Sequence, residues 1–384
     1  MRILALDGGS SSLKFALYAT SDAVGRFFMR GAAENLGPTN SLFWYERADG
    51  NRRVLEPPVP LEPLAALDRA FEAVARESSS EIDAIGHRIV FGGPDHVAPT
   101  HAAAHVLADL ERFVPFDPMH LRTQIDLVRA AMSRYPRAKH VLCFDTEFHR
   151  RMPNVAKRLP LPRSVGPLVR RYGYHGISYE YVISTLGPLA EGRVLIAHLG
   201  SGASLAAVRD GQPIDTTMGF SPLGGLMMGT RPGDLDPGIL LYLLSNGSTA
   251  SDLVELFSER SGLAGVSQHG GDLKTLLERE TVDVHARDAI ELFVYQIVKH
   301  AGSMIAVLGG LDTLVFTGGI GERSAEIRGR VAHRLSYVGA CLDPAKNAAG
   351  ERVVSSAESR VTVHVIQSDE SLIIARKVQA TIKP

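Results

Sequence analysis

The chain has 384 residues, which is more than one hydrophobic core usually supports, so two domains are expected. Charged residues make up 22% of the sequence and the formal net charge is −1, so nothing in the composition indicates the basic surface typical of nucleic-acid-binding proteins. Two cysteines are too few for a disulfide framework, and no uninterrupted apolar run reaches the ~18 residues of a membrane span.

Residues 3–18, ILALDGGSSSLKFALY, predict a β-hairpin whose turn can hold phosphate. An apolar run ends at Asp7, and alternating apolar residues resume at Leu13. The turn combines glycines, which let backbone N–H groups approach oxygens closely, with hydroxyl donors and a compact positive charge: Gly8, Gly9, Ser10, Ser11, Ser12 and Lys14. Because a strand begins by residue 3, no room is left for a signal peptide, and we expect a cytoplasmic protein without membrane or nucleic-acid partners.

Helices and a crossing segment are predicted farther along. The amphipathic patterns of residues 63–77 and 120–135 each predict a helix. Proline and basic residues cluster at 150–171, RRMPNVAKRLPLPRSVGPLVRR. This segment is either a crossing into a second domain or a long surface loop.

Two further glycine-rich segments follow apolar runs typical of buried strands. Residues 194–215 repeat the plan of the first hairpin, with a turn at Gly200, Ser201 and Gly202. Residues 313–324 run from a strand into a glycine-rich loop, residues 318–321, followed by a helix start. One such turn is weak evidence, because many are ordinary hairpin connections. Two similar hairpins far apart predict related halves that close on a nucleotide.

Residues 219–238, GFSPLGGLMMGTRPGDLDPG, predict an ordered loop that binds a small anion. Its glycines and prolines rule out a regular helix or strand, and two consecutive methionines are untypical of a flexible linker. Arg231 is the candidate anion ligand, near the acidic pair Asp234 and Asp236. The alternative is a tight multi-turn connection with a surface arginine.

Motifs along nearly the whole chain resemble those of the acetate kinases, which belong to the superfamily of acetate and sugar kinases, heat-shock ATPases and actin. The resemblance rests on GGSSSLKFALY, GHRIVFGG (86–93), CFDTEFH (143–149), RRYGYHGIS (170–178), AHLGSGASLAAV (197–208), DTTMGFSPLGGLMMGTRPGDLDP (215–237), VFTGGIGERS (315–324) and SDESLIIAR (368–376). They occur in the family's order and spacing.

The resemblance implies an α/β fold of two related ribonuclease-H-like domains, the actin-like ATPase fold, closing on a central cleft. The first domain comprises residues 1–147 and 369–384, with the first phosphate loop and a returning C-terminal helix. The second comprises residues 148–368, with the second phosphate loop, an adenosine motif and a dimer interface. A homodimer is therefore expected.

The activity that the resemblance implies is reversible, Mg²⁺- or Mn²⁺-dependent, in-line transfer of the ATP γ-phosphoryl group to acetate, giving acetyl phosphate and ADP. A carboxylate is already a nucleophile, so catalysis rests on positioning and charge neutralisation. By resemblance the catalytic residues are Arg88, which also binds substrate, Asp145, His175 and Arg231. The nucleotide-binding residues are Ser10, Ser12, Lys14, His198, Leu199, Gly200, Ser201, Gly202, Asp272, Leu273, Lys274, Gly318, Gly319, Ile320, Gly321 and Glu322. The acyl pocket comprises Val90, Phe116, Tyr174 and Pro222, and the metal ligands are Asp7 and Glu370.

The chain departs from the family pattern at several positions. Asp7 and Ser201 each stand where the family usually has asparagine, and Asp7 is expected to strengthen the metal site. The family's PLHNP is PFDP here, so Phe116 or Asp117 replaces a histidine around a one-residue deletion, while nearby His120 matches no family position. About three extra residues precede Asp272. A propionate or butyrate kinase, a pyrophosphate-dependent enzyme and an inactive binding homologue remain open alternatives.

Overall fold

A computed structural model describes residues 1–20, 25, 27–50, 52–54, 58–78, 80–117 and 120–383; Pro118 of the PFDP motif lies outside them. The chain divides into two compact units. Unit 1 comprises Met1–Glu147 and Asp369–Pro384, and unit 2 comprises Phe148–Ser368.

The strands are β1 (Arg2–Gly8), β2 (Ser12–Ala19), β3 (Phe27–Glu34), β4 (Gly37–Arg47), β5 (Arg52–Val54), β6 (Val59–Leu61), β7 (Ala84–Ile89), β8 (Thr100–His101), β9 (Lys139–Phe144), β10 (Arg193–Leu199), β11 (Ala203–Arg209), β12 (Gln212–Thr216), β13 (Thr313–Thr317) and β14 (Thr362–Val365). The α-helices are α1 (Pro63–Glu77), α2 (Ala104–Glu111), α3 (Leu121–Arg134), α4 (Asn154–Lys157), α5 (Gly176–Leu186), α6 (Pro237–Ser245), α7 (Ala250–Glu259), α8 (Gly262–Ser267), α9 (Leu273–Arg279), α10 (Val284–Leu308), α11 (Gly318–Arg323), α12 (Ala325–Arg334), α13 (Pro344–Ala349) and α14 (Glu370–Ile382).

Unit 1 is built on a mixed sheet with the strand order β5-β4-β3-β2-β1-β7-β9-β8. The hairpin predicted for residues 3–18 is β1 and β2, which pair antiparallel. Strand β1 also pairs parallel with β7, and β7 pairs parallel with β9. Helix α1 has the predicted bounds and buries its apolar stripe, including Leu67 and Phe71, in the same core as Leu4 and Leu17.

Unit 2 repeats this topology. Its sheet has the order β12-β11-β10-β13-β14, in which β10, β11 and β12 are antiparallel and β10, β13 and β14 are parallel. Strands β10, β11 and β13 therefore correspond to β1, β2 and β7. The two predicted glycine turns, β1 to β2 and β10 to β11, occupy equivalent positions, so the prediction of two related halves is confirmed at the level of topology.

Helix α14 packs against β1, β7 and β9 of unit 1. A side chain on Gly86 of β7 would place its Cβ 2.5 Å from side-chain atoms of Ile374 and Val378 on this helix. Glycine at this position lets α14 cover the sheet directly. The helix carries Glu370 at its first position, beside the ends of the parallel strands.

Helix α10 is long and apolar enough to cross a membrane by length and composition alone, and 39% of its most apolar window is buried. Its buried residues, including Phe293 and Ile297, lie in unit 2, where the helix packs against β11, α8 and α9. Core helices of folded domains commonly have this composition.

Candidate functional site

The carboxyl ends of the three parallel strands in unit 1 carry a buried cluster of charges. Arg88 lies on β7, Asp7 on β1, and Asp145 immediately follows β9. The Arg88 guanidinium donates to Asp7 Oδ1 at 2.8 Å and to Asp145 Oδ2 at 2.5 Å. Glu370 Oε2 lies 3.8 Å from Arg88 Nε. Asp7, Arg88 and Asp145 meet because adjacent parallel strands end at the same edge of the sheet, and α14 begins there with Glu370.

Burial and neighbouring charges have opposing effects on the pKa values of these groups. Burial disfavours ionised Asp7, but Arg88 and Lys14 outweigh it and hold the pKa of Asp7 below its ordinary value. Burial would likewise lower the pKa of Arg88, yet Asp145, Asp7 and Glu370 keep it well above its ordinary value. For Glu370, burial dominates over the attraction of Arg88, and with the charges of Asp7 and Asp145 it raises the pKa to about 7.

The cluster therefore has more negative charge than Arg88 neutralises, which suits a cation. Asp145 Oδ1 is buried and has no hydrogen-bond partner among the residues described. Mg²⁺ usually binds through one or two carboxylates and keeps several waters. Within the described ranges no group of three or more His, Cys, Asp or Glu side chains is already arranged around a metal position. Asp145, with Asp7 or Glu370 and water, fits a divalent ion.

The first glycine turn adjoins this cluster. Its backbone closes through Gly9 N donating to Ser12 O at 2.8 Å, and Ser10 stands partly exposed at its tip. Lys14 pairs with Asp7 across the hairpin and its side chain is exposed. The turn thus presents backbone N–H groups, hydroxyls and an ammonium group, which together suit phosphate oxygens.

Gln124, a residue that the sequence did not single out, connects this turn to the end of β7. Its buried amide donates to Gly8 O at 3.1 Å and accepts from Val90 N at 2.8 Å. The hydrogen bond from Val90 N fixes the backbone just after β7, the strand that carries Arg88. Only the packing of α3 against β1 and β7 brings this glutamine to the turn.

In unit 2, three side chains converge on the second glycine turn. A Cβ added to Gly202 would lie 2.8 Å from Arg231 Nη2 and 3.2 Å from His175 Nε2, and one added to Gly200 would lie 4.0 Å from His198 Nε2. Glycine at position 202 therefore leaves the space that the guanidinium and the imidazole face. Two imidazole rings and a guanidinium lie over a turn of backbone amides, an arrangement that suits an anion.

The predicted loop around Arg231 contains no helix or strand before α6 begins at Pro237. Arg231 Nη1 donates to Pro222 O at 2.8 Å, and Gly229 N donates to Ser201 O at 3.0 Å, so the loop is fastened to the glycine turn. The acidic pair near Arg231 stabilises the backbone of this loop and of the helix that follows it. Asp234 accepts from Gly225 N, and Asp236 caps α6, so both carboxylates hold the backbone.

The acyl-pocket candidates lie in both units. In unit 1, Phe116 is partly exposed and stacks on Phe91, with ring centroids 5.6 Å apart. In unit 2, buried Tyr174 donates its hydroxyl to Phe220 O at 2.9 Å, two residues before Pro222. This hydroxyl is therefore committed to the loop backbone.

The third glycine segment differs from its prediction in one respect. Helix α11 begins at Gly318 itself, so residues 318–321 form its first turn and do not form a loop before it. Leu199 O lies where a side chain on Gly318 would go, which places α11 against the second turn. Glu322 accepts from Gly318 N and Ser368 N, both at 3.0 Å, and thereby joins two backbone segments.

The adenosine motif lies at the start of α9. Asp272 is the N-cap, accepting from Thr275 N at 3.1 Å, while Leu273 is buried and Lys274 is exposed. The preceding Gly271 contacts the backbone of Gly229 so closely that a Cβ would lie 2.5 Å from Gly229 O. The motif thus adjoins the loop that carries Arg231.

His120, which matches no position of the family pattern, lies beside the first glycine turn. Its Nδ1 is 3.0 Å from Asp117 Oδ1, and its Cδ2 would contact a Cβ at Gly9 at 4.0 Å. The positive form of His120 also contributes to the lowered pKa of Asp7. Spacing in the sequence could not reveal this, because the contact depends on how the chain enters α3.

Comparison with known proteins assigns the whole chain to one group of relatives. The profile of the acetokinase family matches residues 2–376. The chain is 42% identical to the acetate kinase of Rhodopseudomonas palustris strain TIE-1, over 98% of this chain and 97% of the relative. It is 37% identical to Acetate kinase 1 of Lactococcus lactis strain IL1403, over 100% of both.

Solved structures give the same result. The acetate kinase of Porphyromonas gingivalis superposes with a TM-score of 0.85 at 34% identity, covering 100% of both chains. A propionate kinase from Francisella tularensis superposes with a TM-score of 0.90 at 32% identity, covering 99% of both. The predicted fold class is confirmed by these matches.

Proposed function

Because the chain belongs to the acetokinase family and is therefore a phosphotransferase with a carboxyl group as acceptor, we propose that it transfers the γ-phosphoryl group of ATP to acetate, reversibly and in line, giving acetyl phosphate and ADP. The observation that supports this most directly is the presence of two arginine sites: Arg88 with its carboxylate partners in unit 1, and Arg231 with His175 over the second glycine turn in unit 2.

Arg88 binds the acetate carboxylate in this proposal. Acetate is already ionised at neutral pH, so no general base is needed and the protein must place two anions in contact. A guanidinium suits this task because it can donate two parallel hydrogen bonds to a carboxylate. To bind acetate, Arg88 exchanges one of its present bonds, to Asp7 or to Asp145, for a bond to substrate.

Unit 2 stabilises the transferring phosphoryl group. Negative charge spreads over its equatorial oxygens in the transition state. Arg231 and His175, which face the same point over Gly202, donate to those oxygens, and the backbone amides of the glycine turn bind the nucleotide phosphates. Ser201 can donate one hydroxyl hydrogen bond there in place of an asparagine amide.

Mg²⁺ would be held by Asp145 with Asp7 or Glu370, where the carboxylates outnumber the cations. When bound, the ion neutralises phosphate charge and orients the phosphoryl group. Glu370, with a pKa of about 7, gains a partner that favours its ionised form.

The resemblance to a solved propionate kinase makes a longer acid the second candidate acceptor. Trapping the acyl phosphate with hydroxylamine, using purified protein and a panel of acetate, propionate and butyrate against ATP and pyrophosphate, tests both assignments. We expect the highest kcat/KM for acetate with ATP. No acyl hydroxamate from any pair would instead support a binding protein without activity.

Asp7 allows a test of the metal site. Asp7→Asn keeps the shape and one acceptor for Arg88 but removes a charge, so the variant should stay active and need more Mg²⁺. Asp7→Ala should be severely impaired, because Arg88 loses a partner. Mg²⁺ titrations of initial rate measure this, with Asp68→Asn, on the exposed face of α1, as the matched control. Equal Mg²⁺ dependence in wild type and both variants would rule out a metal role for Asp7.

Phe116 allows a test of acyl selectivity. Phe116→Leu should enlarge the pocket by about one to two methylenes and improve propionate relative to acetate about tenfold in kcat/KM. Phe113→Leu is the control, because Phe113 is buried in the core and packs against the ring of Phe116. If the ratio for Phe116→Leu moves no more than that for Phe113→Leu, Phe116 does not line the pocket.

A homodimer in the cytoplasm is also proposed. Helix α6, PGILLYLLS, has no buried residue, and Leu241 and Tyr242 are 67% and 68% exposed. A helix that is apolar on all sides is normally covered. Sedimentation of the wild type and of Leu241→Glu tests whether a second copy covers it, with Val155→Glu, 85% exposed elsewhere in unit 2, as the control. A monomeric wild type would contradict the proposal.

A further inference from the structure

A chain of buried hydroxyl groups leads to His175. His175 Nδ1 lies 2.8 Å from Ser204 Oγ on β11, and the same oxygen is in hydrogen-bond contact with the Tyr179 hydroxyl on α5. Ser204 and Tyr179 are both fully buried. The other ring nitrogen, Nε2, faces the space over Gly202 beside Arg231.

The direction of the hydrogen bonds follows from the chemistry of the groups. A phenol is a stronger acid than an aliphatic alcohol and is the better donor, so Tyr179 donates to Ser204. A serine hydroxyl has a single hydrogen, which then points to His175 Nδ1. Nδ1 is consequently an acceptor, and the ring proton resides on Nε2.

The surroundings of the ring favour the same neutral form. His175 stacks on His198, with centroids 4.2 Å apart and ring planes 19° apart. His198 Nδ1 in turn lies 2.8 Å from Ser178 Oγ, so each ring has a buried serine on Nδ1. Two protonated rings at this distance would repel each other, and a protonated His175 would repel Arg231.

We propose that Tyr179 and Ser204 are positioning residues that hold His175 as the neutral imidazole with its proton on Nε2, aimed at the anion over Gly202. This proposal rests on the role of His175 in the proposed function, because the position of the ring proton matters only if Nε2–H donates to the transferring phosphoryl group. His175 also adopts φ 59° and ψ 22° at the start of α5. This left-handed conformation is costly for histidine, so packing and hydrogen bonds must hold the residue in place.

The tautomer can be measured directly on the full chain. In protein labelled with ¹⁵N-histidine, long-range ¹H–¹⁵N spectra distinguish protonated from unprotonated ring nitrogens, and His175→Gln identifies the His175 signals. We expect Nε2 protonated and Nδ1 unprotonated in the wild type. In Tyr179→Phe, Ser204 is free to accept from Nδ1–H, so the population with the proton on Nδ1 should rise. Observation of Nδ1–H or of an imidazolium in the wild type near neutral pH would overturn the proposal.

Kinetics provide the second readout. Tyr179→Phe and Ser204→Ala should lower kcat about 10- to 100-fold and leave the KM for acetate within about twofold, because only the transition state needs the aligned proton. Ser204→Thr keeps the hydroxyl and should retain most of kcat. The matched control is Tyr172→Phe, which removes another buried hydroxyl, bonded to Leu168 O at 2.9 Å.

The two proposals fail separately. A wild-type protein whose His175 carries its proton on Nε2 but which has no kinase activity would refute the proposed function and leave the positioning role of Tyr179 and Ser204 intact. Wild-type activity in a folded Tyr179→Phe variant with an unchanged tautomer would refute the positioning role of Tyr179 and Ser204 and leave the proposed function intact. Melting curves verify folding, and the wild-type spectrum decides the matter even where a variant does not fold.

Discussion

Replacing Arg88 with alanine is expected to lower kcat/KM for acetate by at least ~10²-fold and to raise the KM for acetate. The change removes the group proposed to bind the carboxylate. It also leaves Asp145 and Asp7, both buried, without their shared cation. Removing one partner of a buried ion pair commonly costs about 3–5 kcal/mol, so the melting temperature should fall as well.

The two effects of Arg88 can be separated experimentally. Arg88→Lys restores a positive charge and should recover part of the stability. Its kcat/KM should remain low, because the compact ammonium group of lysine cannot replace the planar guanidinium that donates to two carboxylates at once. Arg137→Ala, which removes an arginine that is 89% exposed, is the control for nonspecific loss of charge. Near wild-type turnover in a folded Arg88→Ala variant would exclude Arg88 from the reaction.

Features with a local physical cause could be predicted from the sequence. Helix α1 has the predicted bounds, and α3 begins and ends within one residue of its prediction, because apolar periodicity and the flanking residues define each helix within one segment. The two glycine turns were found because glycine and serine between two apolar runs are typical of hairpin connections. The start of α11 was misplaced, since glycine in the first turn of a helix looks like a loop in the sequence.

Features that depend on which strands become neighbours could not be predicted in this way. Asp7 was expected to act on a metal, and its ion pair with Arg88 was not foreseen, because it exists only where β1 and β7 lie side by side. Gln124 and Ser204 could not be identified as important from the sequence, because the sequence does not show which polar residues are buried or which groups they bond. The sequence also did not show what Asp234 and Asp236 do, because backbone capping and ligand binding use the same residue types.

Arg231→Ala is expected to lower kcat by at least ~10²-fold with a smaller change in the KM for acetate. Arg231 faces the space over Gly202 together with His175 Nε2, where the proposed function places the equatorial oxygens of the phosphoryl group in the transition state. The variant also loses the hydrogen bond from Arg231 to Pro222 O, so the loop must be shown to remain ordered.

Gly202→Ala provides a complementary test of the same geometry. The new methyl would lie 2.8 Å from Arg231 Nη2 and 3.2 Å from His175 Nε2, so it displaces both donors without removing either. We expect a loss of kcat that approaches that of Arg231→Ala, because a donor displaced from its anion contributes little to transition-state stabilisation. Gly219→Ala is the matched control, since its Cβ would meet no heavy atom within 4 Å. If Gly202→Ala were as active as Gly219→Ala, the phosphoryl group would not bind over this turn, and Arg231 would act elsewhere.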